Sequence, residues 1–397
     1  MSKIITDEKL IDAFLSRGLE NIYPNKDYLK QQLLSGKKLT IYLGIDPTGP
    51  TLHMGHAIPL RKLSEFQKLG HQVILLIGDF TAMIGDPTDK TATRKQLTRR
   101  EVLNNCKLYK KQASIFLDFG FGGAKLKYNS HWLGKMKFAN VLDLAAKMSV
   151  QQMLERDMFK KRLENNKPIF IHEFLYPLMQ GYDSVAMDVD GEIGGNDQTF
   201  NMLTGRNLLK EIAGKEKFVL TTKLLVDNDG KKMGKTEGNM ITFRDDANEM
   251  FGKVMSWTDG MILNGFELCT NIDMDKIEDY KIKLEKGENP KNIKLDLALE
   301  VVKTYHGDVE ATLAREYWEK TFSQKETPTD IPNIKPTQYD IVTVLVEAGL
   351  APSKTEARRN IEQKGVRVNE IDVTDLKQEL KPGDVVQKGK RYFVKVV

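Results

Sequence analysis

Between Lys38 and Ile77 the sequence reads strand, helix, strand, with almost no chain to spare between them. Lys38–Ile45 has the composition of a strand, and Leu52–Leu69 sets Ala57, Leu60, Leu63 and Phe66 near helical spacing. Gln72–Ile77 is a second, β-branched strand closed by Gly78. Two strands joined through a helix cannot pair as a hairpin. They lie parallel in one sheet with the helix as crossover, so an α/β fold is expected.

Downstream, Met148–Arg162 and Asn292–Glu319 read as helices, the second rich in Leu, Ala, Val and Glu. Thr327–Pro336 places Pro328, Pro332 and Pro336 among polar residues and reads as a linker. Past it comes a small α+β pattern: Ile341–Ala348, then Ser353–Lys364 with Ser353 as N-cap, then the short strand Val366–Val368. A chain of 397 residues has room for two or three domains, and 40% hydrophobic with 29% charged residues supports a full-sized core rather than disorder. The two cysteines, Cys106 and Cys269, rule out a disulfide scaffold and fit a reducing cytoplasm. Apolar runs such as Val73–Ile77 are too short to span a bilayer, and Met1–Leu10 lacks the apolar stretch of a signal peptide. A cytoplasmic protein with no membrane partner is therefore expected. The net charge of +5 is uneven: from Lys335 onward 12 Lys and Arg face nine Asp and Glu. That surplus of three points either to an anionic partner for the tail or to a solvated surface.

The exit of the first strand carries the densest chemistry. In Tyr42–His56, YLGIDPTGPTLHMGH, the strand ends, Gly44, Pro47, Gly49 and Pro50 make a turn, and a helix opens near Leu52. A helix N-terminus gathers unbonded N–H groups and a partial positive charge, and so receives phosphate. His53 and His56 share one face of its first turn, where two imidazoles can donate to phosphate oxygens as charge develops. No third His or Cys stands nearby at ligand spacing, so no metal site is expected.

Three further segments carry polar groups of interest. Gly230–Thr236, GKKMGKT, sets three lysines in a glycine-bearing loop, a cationic arm for polyphosphate or a plain charged surface loop. It misses the P-loop pattern because Asp229 holds the first glycine position. In Phe174–Asp183, FLYPLMQGYD, the residues Tyr176, Gln180 and Asp183 share one helix face; in Gly194–Gln198, GGNDQ, paired glycines precede Asp197 and Gln198. Gly85–Arg94, GDPTDKTATR, is a turn carrying Asp86, Lys90 and Arg94.

With HMGH in the first strand–helix unit and KMGKT far downstream, the sequence resembles a class I aminoacyl-tRNA synthetase, whose signatures HIGH and KMSKS these vary. YLGIDPT, IGDPTDK, YPLMQGYD and IGGNDQ narrow the resemblance to tyrosyl-tRNA synthetases of bacterial type, from about Asp7 to the C-terminus. The segment SKTEARRNIEQKGVRVN is similar to the RNA-binding module first described in a ribosomal small-subunit protein. Departures are Gly234 at the third letter of KMSKS, Thr236 at the fifth, and Asp89 beside Lys90.

The resemblance implies a Rossmann-like parallel-sheet catalytic domain with a dimer-interface insertion (1–225), the lysine loop with a helical domain (226–326), a linker (327–336) and a small α+β RNA-binding tail (337–397). It implies that Tyr42 and Asp183 bind the phenol hydroxyl of L-tyrosine, and that Tyr176, Gln180 and Asp86 hold its ammonium. Asp46, Gly44, Gly195, Asp197 and Gln198 would line the adenylate; Thr48, His53 and His56 would contact ATP phosphates. Lys90, Arg94, Lys232 and Lys235 would close on pyrophosphate, and Arg358, Arg359, Lys364 and Arg367 would contact tRNA(Tyr). ATP with Mg²⁺ is then a substrate, no tightly bound cofactor is expected, and the protein is a homodimer. His131–Phe159, rich in Met and aromatic residues and poor in acids, is the expected interface. Two other readings stand beside this one. A tryptophanyl-type enzyme shares the fold, but an indole offers one N–H where Tyr42 and Asp183 supply two partners. A catalytically silent RNA-binding relative would be expected to have lost some of these polar groups.

Overall fold

The structure, a computed structural model, describes residues 3–88, 96–226, 240–323, 331–389 and 392–397. It divides into two compact units, one of residues up to Asp246 with Lys253–Gly307, the other of Ala247–Gly252 with Asp308 onward.

The first unit is built on a six-stranded sheet. In chain order its strands are β1 (Leu19–Tyr23), β2 (Thr40–Ile45), β3 (Gln72–Ile77), β4 (Lys125–Tyr128), β5 (Gly191–Gly195) and β6 (Phe218–Thr222). Their order across the sheet is β1-β6-β5-β2-β3-β4, all parallel except β1, which runs antiparallel to β6 at the edge. Helix Met54–Lys68 joins β2 to β3, so the expected crossover unit is present; β3 has the expected bounds, and β2 and the helix are slightly shorter than their sequence patterns. Layers on both faces bury the central strands, which is why β3 can read as an unbroken apolar run, Val73 to Ile77.

Two expected helices differ. Met148–Arg162 forms two, Val150–Leu154 and Asp157–Glu164, because Arg156 takes an extended backbone (φ −66°, ψ 128°). The helix Pro290–Trp318 is interrupted at Gly307, whose φ of 85° lies in the left-handed region that glycine enters without strain.

In the tail of the second unit, β7 (Asn333–Ile334), β8 (Val366–Val368), β9 (Ile371–Asp372), β10 (Val385–Lys388) and β11 (Tyr392–Val396) form a sheet of order β7-β11-β10-β8-β9. Helices Ile341–Glu347 and Lys354–Glu362 accompany it; Ser353 caps the second, its hydroxyl accepting from Glu356 N. Ile341, Val344, Leu345, Ile361, Val366 and Val386 form a core in which each is almost fully buried.

Candidate active site

From β2 the chain winds outward through β3 and β4 on one side, and β5 and β6 fill the other. The reversal falls between β2 and β5, and in open α/β sheets the crevice at such carboxyl ends is where ligands sit. A cleft of about 420 Å³ opens there. Tyr42, Gly44, Asp46 and Thr48 enter it from β2 and its turn, and His53 and His56 from the start of helix 54–68. Asp86 follows β3; Tyr176, Gln180 and Asp183 come from helix Ile171–Met187; Gly195, Asp197 and Gln198 end β5. One cleft thus gathers every candidate substrate and nucleotide residue that lies within the described residues. Lys90, Arg94, Lys232 and Lys235 lie outside them.

The inner end is a buried polar pocket. Asp183, 2% exposed, accepts from Trp132 Nε1 at 2.7 Å and from Asn129 Nδ2 at 3.3 Å. Burial pushes its carboxyl well above the usual range, against the pull of those two donors. Tyr42 is fully buried, its hydroxyl 3.0 Å from Ser184 Oγ. Burial, with Glu192 and Asp183 nearby, raises its phenol as well. A donor-capable hydroxyl beside an acceptor carboxylate suits a ligand that both donates and accepts at one oxygen.

In the middle of the cleft, Asp46 Oδ2 accepts from the Tyr176 hydroxyl at 2.7 Å, and Oδ1 from Thr81 Oγ1 at 2.7 Å. Asp86 Oδ2 accepts from Gln198 Nε2 at 2.8 Å, and Oδ1 from the Thr88 hydroxyl at 2.7 Å. Arg156 donates to that same Thr88 hydroxyl at 2.7 Å and stacks 4.9 Å from the Phe200 ring. This explains the broken helix at Arg156: the extended residue reaches across to the Asp86 turn. Gly78 faces Asp46 so closely that a Cβ there would overlap Asp46 Oδ1 and Thr81 Oγ1. Gly78→Ala is expected to displace the Asp46 carboxylate and cut turnover at least about tenfold, the scale of one lost charged hydrogen bond. Unchanged kcat/KM in that variant would show that Asp46 need not sit where it does.

At the outer end the turn before helix 54–68 is held from outside. Asn105 donates to Pro47 O at 2.9 Å, Tyr109 to Gly49 O at 2.7 Å, and Gln112 accepts from Leu52 N at 2.7 Å. His56 Nδ1 accepts the His53 N–H at 3.2 Å, so a neutral His56 carries its proton on Nε2 and donates from there. The flanks of the lysine segment meet here: Lys223, Leu224 and Leu225 line the cleft before it, and after it Ile241 O accepts from Met54 N at 2.9 Å.

In the tail, Arg358, Arg359, Lys364 and Arg367 are all exposed, with Arg367 paired to Asp372 at 2.6 Å. The segment 131–159 splits. Leu133, Leu144, Met153 and Phe159 are buried, whereas Phe138 (77%), Leu142 (54%) and Val150 (57%) are exposed.

Sequence reasoning missed Asn129 and Glu192, which line the cleft, and Trp132, Ser184 and Lys217, which bond to lining residues from behind. A legible signal existed for two of them: Glu192 and Lys217 are charges inside or against apolar strands, a placement that normally demands a partner.

Residues 34–323 match the family model described as tRNA synthetases class I (W and Y), and residues 341–386 match the S4 domain. The chain belongs to the class I tRNA synthetase family of the tryptophan and tyrosine branch. Within that branch, it is 44% identical to the tyrosine--tRNA ligase of Moorella thermoacetica, over 96% of this chain and 94% of the relative. It is likewise 44% identical to that of Thermotoga maritima, over 96% of each. The fold is similar to the mitochondrial tyrosyl-tRNA synthetase of Aspergillus nidulans, with TM-score 0.67 and 23% identity over 79% of this chain and 94% of that one. A tyrosyl-tRNA synthetase from Archaeoglobus fulgidus, solved with L-tyrosine, gives TM-score 0.61 at 21% identity over 78% and 100%.

Proposed function

We propose that the chain is a tyrosine--tRNA ligase, which activates L-tyrosine with ATP and passes the tyrosyl group to tRNA(Tyr). The observation that carries the reading is the inner pocket, where the Tyr42 hydroxyl and the Asp183 carboxylate stand together out of water. A phenol satisfies both and a phenyl group neither. A carboxylate oxygen of tyrosine attacks the α-phosphorus of ATP, delivered as its Mg²⁺ complex; the bond to pyrophosphate breaks and tyrosyl-adenylate remains. A ribose hydroxyl at the 3′ end of the tRNA then attacks the carbonyl carbon, and AMP leaves. No side chain acts as nucleophile, because positioning and stabilisation of developing charge suffice. Tyr176, Gln180 and Asp86 hold the ammonium, and Gly44, Asp46, Gly195, Asp197 and Gln198 line the adenylate. Thr48, His53 and His56 meet the phosphates, with Lys90, Arg94, Lys232 and Lys235 on the leaving pyrophosphate. ATP–pyrophosphate exchange that requires tyrosine tests the reading, and exchange driven by tryptophan instead would overturn it.

The functional division proposed is 1–225 for catalysis, 226–326 for the lysine loop and helices, 327–336 as linker, of which Asn333–Ile334 already pair with β11 in the tail sheet, and 337–397 for RNA, acting in the cytoplasm. No helix among the described residues is long and apolar enough to cross a membrane. Arg358, Arg359, Lys364 and Arg367 track the tRNA backbone. Arg358→Ala with Arg359→Ala should leave exchange untouched and raise KM for tRNA about tenfold. The salt dependence of that KM should flatten by about one unit of log–log slope for each phosphate no longer neutralised. Equal effects on exchange would place these arginines in the fold instead.

The exposed Phe138, Leu142 and Val150 support a homodimer through 131–159. Light scattering at micromolar concentration is expected to give near twice the 45.2 kDa chain mass. Phe138→Glu should drive it toward monomer; a monomeric wild type would remove the interface.

A further inference from the structure

A buried ion pair lies behind the amino-acid slot, and none of the roles assigned so far uses it. Lys217 is fully buried and Glu192 is 2% exposed, and Lys217 Nζ donates to Glu192 Oε2. Apolar residues of the same volume would stabilise a sheet as well or better, so stability does not account for the pair. Lys217 also reaches one end of the slot and Glu192 both, since its carboxylate hydrogen-bonds the Tyr42 phenol as well as Gln180. Lys217 Nζ donates to Ser184 Oγ at 2.8 Å, and Ser184 Oγ lies 3.0 Å from the Tyr42 hydroxyl. Glu192 Oε1 accepts from Gln180 Nε2 at 3.1 Å. The space is built around them: a Cβ at Gly205 would come within 2.8 Å of Lys217 Nζ and 2.9 Å of Ser184 Oγ.

We propose that the Glu192–Lys217 pair sets the direction of hydrogen bonding at both ends of the slot, a positioning role that rests on the tyrosine reading. An ammonium only donates, so Lys217 occupies a lone pair of Ser184 and polarises that hydroxyl toward donation. Ser184 then donates to the Tyr42 oxygen, and the Tyr42 O–H is left to donate, either to the Glu192 carboxylate that also hydrogen-bonds this phenol or to the substrate oxygen that displaces it. Asp183, already accepting from Trp132 and Asn129, remains the acceptor for the phenol proton. At the other end a carboxylate only accepts. Gln180 therefore gives its amide nitrogen to Glu192 and turns its carbonyl oxygen to the cleft, where an ammonium needs an acceptor. The slot is thereby polarised for one orientation of one ligand: phenol inward, ammonium outward.

The test is a double-mutant cycle on the full chain in tyrosine-dependent exchange, with Ser184→Ala, Tyr42→Phe and the two together. Ser184→Ala is expected to raise KM for tyrosine about tenfold with kcat nearly unchanged, and to lower selectivity over phenylalanine by the same factor. Placed on Tyr42→Phe, the same change should cost less than about twofold, because the hydroxyl it orients is gone. Lys217→Met with Glu192→Gln removes both charges at similar volume, and serves in the same cycle should Ser184→Ala not fold. A Ser184 effect that persists in full on Tyr42→Phe, or that falls equally on tyrosine and phenylalanine, overturns the relay. A wild type without tyrosine-dependent exchange would instead sink the tyrosine reading itself.

Discussion

Replacing Asp183 by Asn is expected to lower kcat/KM for tyrosine by about 10- to 100-fold, the range set by losing a hydrogen bond to a charged acceptor. Phenylalanine, which has nothing to offer this group, should lose little, so selectivity falls with the tyrosine term. The geometry gives the reason. Trp132 and Asn129 each donate to one carboxylate oxygen, and the phenol would supply a third donor. An amide has one oxygen, so its NH2 must face Trp132 or Asn129 donor to donor. A stability loss of about 1–3 kcal/mol should therefore accompany the change, read as a lower melting temperature. Acidity separates the two effects. Because burial holds the Asp183 carboxyl above its ordinary range, protonation removes the acceptor at a higher pH than a surface aspartate would. The wild-type KM for tyrosine should rise as pH falls through that range, while the Asn variant shows no such rise. Unchanged selectivity in Asp183→Asn would assign the phenol to another group.

The parts of this site written in the sequence are those built by short chain. β2, its turn and helix 54–68 are contiguous, so Asp46, Thr48, His53 and His56 announce their shared position through Gly, Pro and the strand–helix change. Tyr176, Gln180 and Asp183 share a face because one helix carries them. The pocket's second layer is different. Lys217 and Glu192 stand 25 residues apart and meet because β5 and β6 pair side by side, with Gly191 opposite Phe218. Nothing local to Asn129 or Trp132 marks them, since they act by following β4 toward a helix about 50 residues on. The break at Arg156 belongs to the same class: 150–164 has a good helical pattern, and the Arg156 side chain leaves it for the Asp86 turn and the Phe200 ring, which tertiary packing brings there.

His56→Ala is expected to slow adenylate formation about 10²- to 10³-fold, the usual effect of deleting one donor aimed at charge that develops in the transition state. Tyrosine binding should barely change, because His56 sits at the outer end of the cleft, away from Tyr42 and Asp183. The side chain has two duties, and the prediction depends on telling them apart. Its Nδ1 accepts the His53 N–H at 3.2 Å, which ties down the helix start. Losing a cap costs about 0.5–2 kcal/mol of stability, visible in the melting temperature but too little to unfold a domain with this core. Nε2, the nitrogen left with the proton, is the one that can donate to a ligand beside the first turn of the helix, where helix charge already favours phosphate. The His53 ring lies 3.8 Å away at 37°, so the two imidazoles form one face toward the same region. If the cap were the whole story, His56→Ala would lower stability and reduce tyrosine affinity and rate together. A loss confined to the rate of the first step, with tyrosine affinity held, requires the Nε2 proton to be spent on the phosphate as pyrophosphate leaves.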